Sequence, residues 1–263
     1  MTRFDPAYTS TYYDAYGKRE SARWDAGLRS RIQHAIYCHH LQKRVQHGDR
    51  VLDAGCGPGT FARYLLELGA RVTCLDISPV QLDLCRQCAP GADRYDLGSI
   101  TDLSRYHDHM FDVTLALGGA ISYCFDRVSN AVSELVRVTR PDGLVGLSAM
   151  NLFGSLHLNF ADVLAVSADD NRRILATGDL PRAVAQGHEC HMFRVEELRA
   201  LLSGAGLKDL QLMAEGWLTP NNQVTAPEVG TDAWKMLLDA ELRASEESPG
   251  AGSRIIAWGR VPG

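Results

Sequence analysis

The sequence predicts an α/β fold, a Rossmann-like doubly wound sheet of seven strands with helices on both faces. Three observations carry this. Short apolar runs alternate with helical periodicity between residues 48 and 150. Val51-Leu52-Asp53-Ala54-Gly55-Cys56-Gly57-Pro58-Gly59-Thr60 joins a buried strand to a helix through three glycines at alternate positions. Leu75-Asp76-Ile77 then closes a second apolar run on an acid.

Residues 1–23 are rich in tyrosine and interspersed charge, which reads as short helical structure laid over the rest. Residues 24–47 carry Leu28, Ile32, Ile36, Leu41 and Val45 on one stripe, a helix ended by Gly48-Asp49. The first strand ends at Val51-Leu52. Phe61, Leu65 and Leu68 give the helix after the glycines its buried face. Residues 71–75 form the second strand, and Ser78-Pro79 reads as an N-cap with proline at the first helical position. Leu82, Cys85 and Ala89 face inward until Pro90-Gly91. A short third strand and its exit loop span 95–100, and a fourth strand 111–117. Asp126 is placed to cap the next helix, which buries Val128, Ala131, Val132, Leu135 and Val138. Pro141-Asp142-Gly143 reads as a tight turn before a fifth strand at 144–150.

Beyond Met150 the alternation breaks. Residues 151–190 are too long for an ordinary connection and read as a helical cap. A helix from Val195 to Leu202, strands at 207–214 and 255–259, a helix at 232–244 and a loop from Ser245 to Gly252 complete the chain. The expected organisation is an N-terminal helical lid (1–47), a core (48–150), the insertion (151–190) and a completion of the sheet (191–263).

A length of 263 residues suits one elaborated α/β domain, and the net charge of −5 without a basic cluster argues against nucleic acid. No apolar run reaches membrane-spanning length, and no signal-peptide core is visible. Seven scattered cysteines fit a reducing, cytoplasmic setting. No metal is expected. Cys85 and Cys88 lack a second pair, and His34, Cys38, His39 and His40 share a helix without an acidic partner.

A strand, a glycine turn and a helix N-terminus form a cradle whose backbone N–H groups face a nucleotide-like ligand. A dinucleotide fingerprint wants glycine at the sixth position from Gly55, and Thr60 stands there. Asp53 before the loop suits a cationic amino group better than a pyrophosphate. The D-x-G-x-G-x-G loop, and the acid that ends the next strand, resemble motifs I and II of the class I S-adenosylmethionine (SAM) methyltransferases.

That resemblance covers residues 48–150 well and 191–260 loosely. It implies a last strand running antiparallel beside the sixth. It also implies a set of cofactor contacts. The loop Ala54, Gly55, Cys56, Gly57, Gly59 and Thr60 would pass against the methionine part, with Asp53 orienting the loop. Asp76, followed by Ile77, would take the ribose diol. Ser99 and Ile100 stand near adenine where the family usually has an acid, with Asp96 or Asp102 as substitutes. Beside Leu117, Gly118 would give its carbonyl to the ammonium group, and Gly119 would keep the floor open. Tyr16 and Arg23 would close over SAM from the N-terminal segment, Arg23 on the methionine carboxylate.

No Asn-Pro-Pro-Tyr follows the fourth strand, so the stretch looks like the small-molecule branch of the superfamily. The expected activity is methyl transfer to N or O, less readily C, of a small molecule by a monomer or homodimer. The rivals are a cyclase or decarboxylase on the same scaffold and a non-catalytic SAM-binding regulatory protein. The acceptor side is assigned to Tyr12, Trp24, Tyr123, Asn151, Phe153, His157, His191 and Arg194. His191 and Tyr16 are the catalytic candidates, His191 as general base towards oxygen or as a contact towards nitrogen.

Overall fold

The computed structural model describes residues 2–219 and 225–263; Met1 and 220–224, inside the first and last expected segments, lie outside the described residues. The chain opens with α1 (Pro6–Tyr16), whose first turn is capped by the Asp5 carboxylate accepting from Tyr8 N–H at 3.0 Å. After α2 (Arg19–Ala22) the segment Arg23–Asp25 tightens into a 3₁₀ turn that drives Trp24 into the interior. Helix α3 (Leu28–Arg44) therefore starts four residues later than the stripe predicts, and it buries Leu28, Ile32, Ile36 and Leu41.

The alternating core follows. It comprises β1 (Arg50–Ala54), α4 (Thr60–Glu67), β2 (Arg71–Asp76), α5 (Pro79–Cys88), β3 (Arg94–Leu97), β4 (Phe111–Ala116), α6 (Val128–Val138) and β5 (Thr139–Met150). Ser78 caps α5 as expected, its hydroxyl accepting from Gln81 N–H at 3.1 Å. β3 ends at Leu97, which frees Ser99 and Ile100 for the loop over the sheet end.

Beyond β5 come α7 (Leu152–Leu158), α8 (Phe160–Ala165), α9 (Ala168–Thr177) and a ribbon of β6 (Asp179–Leu180) and β7 (Cys190–His191). Then follow α10 (Val195–Gly204), β8 (Lys208–Ala214), α11 (Asp232–Glu247) and β9 (Arg254–Arg260). The order of the main sheet is β3-β2-β1-β4-β5-β9-β8. Of its seven strands β9 alone runs against the rest, antiparallel to both β5 and β8. The order turns back between β1 and β4, opening a crevice at their carboxyl ends.

Both faces of the sheet are covered, so alternate strand residues enter different cores. Leu52 and Leu75 pack with α6 and α10 residues such as Leu135 and Leu198. Val51 and Val72 pack with α3 and α4 residues such as Ile36 and Leu65. The insertion adds a small cluster of Leu152, Ile174, Cys190 and Met192.

Three local expectations are corrected. Asp126 does not cap α6; its carboxylate accepts from Phe4 N–H at 2.8 Å and ties down the N-terminal segment. Pro141-Asp142-Gly143 lies within β5, where the register against β4 shifts and Asp142 takes a φ of 58°. Ser245 to Glu247 extend α11 rather than starting the loop, and Ser245 is buried.

Gly146 of β5 sits directly opposite Trp258 of β9. A β-carbon on Gly146 would lie 2.6 Å from the Trp258 ring, which is buried. Gly146→Ala should therefore destabilise the fold by about 1–3 kcal/mol, the usual cost of overpacking. Urea unfolding should show a lower midpoint at an unchanged slope; an unaltered midpoint would mean the indole moves freely.

Candidate functional site

The crevice between the ends of β1 and β4 opens into a cleft of about 800 Å³. Its floor is the glycine loop. Gly55 and Cys56 N–H both donate to the carbonyl of Leu75, at 2.7 and 3.0 Å, so the loop folds back over the end of β2. Gly55, Gly57 and Gly59 take φ values of 82°, 52° and 86°, a region that favours glycine. Space matters as well as torsion. A β-carbon on Gly55 would sit 2.7 Å from the Ala120 side chain, and one on Gly59 2.9 Å from Cys85 Sγ.

Asp76 ends β2 and faces the cleft. One carboxylate oxygen accepts from Gly57 N–H and the other from Ser78 N–H, each at 2.8 Å. Burial pushes its pKa up to about 6, against the pull of those two donors. Asp53 lies beneath the loop, 1% exposed, with Oδ2 lacking a hydrogen-bond partner. Burial, with Cys85 and Asp76 nearby, raises it to about 8. It is therefore largely neutral at pH 7 and serves the loop from below. It does not line the cleft, and neither do Ala54, Gly59 and Gly119, which shape its frame.

Cys56, Gly57, Thr60, Ile77, Ser99, Ile100, Leu117 and Gly118 line the cleft with Gly55 and Asp76. The substitutes Asp96 and Asp102 do not. Asp96 accepts from the Tyr106 hydroxyl at 2.8 Å and pairs with Arg94 and Arg105, while Asp102 is exposed beside Ser104.

The roof comes from the N-terminal segment: Phe4, Thr9, Tyr13, Glu20, Arg23 and Trp24. Helix α1 is fastened to the start of α5, where Asp14 accepts from the Ser78 hydroxyl at 2.5 Å and Gln81 donates to the carbonyls of Tyr13 and Gly17. Arg23 lies 2.8 Å from the Glu20 carboxylate and stacks on Trp24 at 4.3 Å. Its guanidinium reaches within 3.2 Å of where a Gly118 β-carbon would stand. Tyr16 does not enter the cleft; Tyr13, one turn earlier, does. Tyr16 stacks on Tyr12 at 6.0 Å and carries the Arg19 guanidinium on its face. Tyr12 in turn lies against His188 at 5.5 Å.

The acceptor-side expectations divide. Trp24 and Tyr123 line the cleft. Asn151 is buried and spends its amide on the carbonyls of Gly250 and Gly252. Phe153 and His157 are exposed on α7 and do not line the cleft. Arg194 starts α10, donates to the carbonyl of Leu175 and stands near Phe153.

The expectation for His191 is corrected outright. Nδ1 lies 2.6 Å from Asp179 and Nε2 2.8 Å from Glu197, and the buried ring packs edge-on to Phe193. Both nitrogens are engaged, so no lone pair is left for a substrate proton. Sequence order placed it beside the cleft, but β7 turns its side chain towards α10.

Phe4, Thr9, Tyr13 and Glu20 line the cleft without having been singled out from sequence, whereas sequence order already set His188 near the expected pocket. Tyr13 was visible within the tyrosine cluster, but only the pitch of α1 selects it over Tyr12 and Tyr16. The sulfurs of Cys56, Cys74 and Cys85 lie within 4.8 Å of one another under the loop. Cys85 thus groups with residues distant in sequence rather than with Cys88.

The Asp179–His191–Glu197 group titrates in a defined direction. Burial opposes charge on His191, but the hydrogen bonds to Glu197 and Asp179 prevail and raise its pKa. Asp179 and Glu197 are both lowered, as bonding to His191 overcomes burial. The histidine's contribution is complete below about pH 6.5 and fades as pH rises through its folded value; that of the acids is lost as pH falls below about 4. His191→Ala should cost about 1.5–3 kcal/mol near pH 5.5 and less at pH 8.5. Urea unfolding at both values tests this; an equal deficit at the two would remove the charge from the account.

A methyltransferase domain model matches residues 52–147. The chain is 40% identical over 103 residues to the malonyl-[acyl-carrier protein] O-methyltransferase of Serratia marcescens, and the match spans 39% of this chain and 39% of that relative. A SAM-dependent methyltransferase structure from Thermotoga maritima superposes with a TM-score of 0.63 at 16% identity, covering 95% of this chain and 99% of that one. The Burkholderia thailandensis 1,6-didemethyltoxoflavin-N1-methyltransferase, solved with S-adenosylhomocysteine, superposes at 0.56 with 18% identity, covering 98% of this chain and 88% of that one. At such identities the structural likenesses speak for the fold. The match over residues 52–147, set in this sheet order around this glycine loop, likens the core of the chain to a methyltransferase domain.

Proposed function

We propose that the chain transfers the methyl group of SAM to an oxygen of a small molecule. The observation that carries this is the continuity of one cleft. The same cleft is lined by Asp76, Ser99 and Ile100, suited to a nucleoside, by the glycine floor, and by the aromatic pair of Tyr13 and Tyr123, with Trp24 against Phe61. The residues fit SAM: the glycines leave bare backbone where a β-carbon would collide, and Asp76 offers a carboxylate to a diol. Arg23 stands beside Gly118, placed for the methionine carboxylate. The oxygen preference rests on the O-methyltransferase relative, whose match spans 39% of this chain.

When bound, SAM supplies an electrophilic methyl group on a sulfonium. The chain's own residues do the rest. The aromatic end excludes water, and the roof holds acceptor and methyl in line, a positioning effect worth up to roughly 7–11 kcal/mol. All seven cysteines are free, and no helix among the described residues is long and apolar enough to cross a membrane. We place the enzyme in a reducing, cytoplasmic setting.

Asp76→Ala should weaken SAM binding by about 1.5–3 kcal/mol, roughly ten-fold or more, while the chain stays folded. With the Asp76 pKa at about 6, wild-type affinity should fall as pH drops through that value, and the variant's should not. Calorimetry with S-adenosylhomocysteine reads both; unchanged affinity removes Asp76 from the ribose. Formation of S-adenosylhomocysteine with a methylated acceptor separates transfer from a cyclase, a decarboxylase or a regulatory SAM-binding protein.

Helix α1 buries no residue and is held to the core largely by polar bonds. Such a segment opens at low cost. The 6–22 region should exchange amide hydrogen quickly in the SAM-free protein and slow markedly with ligand. Equal exchange in both states would make it a fixed roof.

A further inference from the structure

We infer that Tyr123 and His188 form a proton relay at the acceptor end of the cleft, and that the acceptor is therefore a hydroxyl group rather than a carboxylate. This rests on the methyl-transfer reading above and names its substrate class.

Tyr123 lines the cleft. Its hydroxyl lies 3.0 Å from His188 Nε2. The ring of Tyr13, also lining the cleft, meets Tyr123 edge-on at 5.4 Å. His188 is firmly held although it sits in a loop. Its backbone N–H donates to the carbonyl of Ala185, the Gly187 backbone N–H donates to that of Arg182, and the Tyr8 hydroxyl donates to that of Gly187. The Arg182 guanidinium grips Glu189 through two bonds of 2.7 Å and stacks on Tyr8 at 3.6 Å. The imidazole is thus fixed by the chain on both sides, against Tyr12 and Tyr123.

The groups around His188 keep it neutral at pH 7. Burial, then the positive charge of Arg254, lower its pKa. A neutral imidazole accepts from Tyr123 O–H, and burial holds Tyr123 protonated by raising its own pKa. Protons can then pass through Tyr123 without its resting as tyrosinate. In the transfer the acceptor oxygen bonds to the methyl carbon as the carbon–sulfur bond breaks, and the sulfonium becomes a neutral thioether. The hydroxyl proton moves to the Tyr123 oxygen as the Tyr123 proton moves to His188 Nε2. The positive charge lost at sulfur reappears on the imidazole, beside Arg254, which favours its prompt loss to solvent. A carboxylate acceptor, already ionised, has no use for such a relay. Tyr123 is the group that touches the acceptor; His188 acts through it.

Two measurements test this. In the SAM-free protein, nitrogen-15 NMR of labelled histidine at pH 7 should show Nε2 of His188 without a proton, and Tyr123→Phe should move the His188 titration. A protonated Nε2, or a titration indifferent to Tyr123→Phe, overturns the relay. For activity, S-adenosylhomocysteine formation is followed with catechol, benzyl alcohol and malonyl-pantetheine as probes. The expected result is turnover of a hydroxyl probe that falls on the acid side below about pH 6.5. At saturating SAM, where the Asp76 titration does not limit turnover, His188→Asn should lower kcat by about 10²-fold and abolish that acid limb, with SAM affinity intact. Turnover of malonyl-pantetheine alone, or an unchanged pH profile in His188→Asn, overturns the inference but leaves methyl transfer standing. No S-adenosylhomocysteine from any probe counts against both.

Discussion

The site depends on the attachment of the glycine loop to the end of β2. Two loop N–H groups, of Gly55 and Cys56, converge on the single carbonyl of Leu75, and a third, of Gly57, reaches the Asp76 carboxylate. The loop cannot move without dragging the acid, and the acid cannot swing without releasing the loop. This fixes the separation between the floor of the cleft and its carboxylate before any ligand arrives, so little ordering cost is left for binding. Strand β2 can supply both because it is adjacent to β1 and parallel to it, in register at Asp53↔Cys74 and Ala54↔Leu75. The sheet order is thus a functional constraint as well as a packing solution.

The fold and the cofactor end were legible because their signals are local. Three glycines at alternate positions need a special turn, an acid closing a strand has few other uses there, and Ser78-Pro79 announces its helix. The antiparallel last strand came from family likeness, not from residue periodicity. The acceptor end was poorly legible because its residues converge from α1, the turn at 120–123 and the loop before β7. No periodicity links Tyr13 to Tyr123 or to His188. His191 illustrates the difficulty. It lies three residues from His188, but a strand residue and a loop residue point in unrelated directions. Its two acidic partners, Asp179 and Glu197, lie 12 and 6 residues away and give no pattern to read.

Charge placement follows the same division. Carboxylates that face the cleft are few and each is engaged: Asp76 by backbone donors, Glu20 by Arg23. Glu20 is raised by burial in spite of Arg23 and Arg254, as expected for an acid enclosed near the sheet end. The deeper pair of Arg254 with Glu215, two contacts of 3.0 Å, anchors the start of β9 against the end of β8. A buried pair of this kind adds little net stability but is costly to break. Its effect here is directional: Arg254 lends His188 a positive neighbour, while Glu215, itself accepting from the Ser253 hydroxyl, holds that arginine in place.

Helix α1 connects the two ends of the cleft. Asp14 and the Tyr13 carbonyl fasten it to the first turn of α5, immediately after Asp76. Tyr8, Tyr12 and Tyr13 on the same helix touch the Gly187 carbonyl, the His188 ring and the Tyr123 ring. Tyr8 and Tyr12, four apart, share the helical face that meets the loop carrying His188, and Tyr13, on the adjacent face, meets the wall that carries Tyr123. A helix with no buried residue of its own can lift as a unit, and lifting it would uncover the cofactor entrance and loosen the imidazole together. On the reading proposed above, cofactor binding beneath α1 and proton acceptance beside it would be mechanically linked. The tyrosine cluster that looks like mere surface composition in the sequence is the physical link between them.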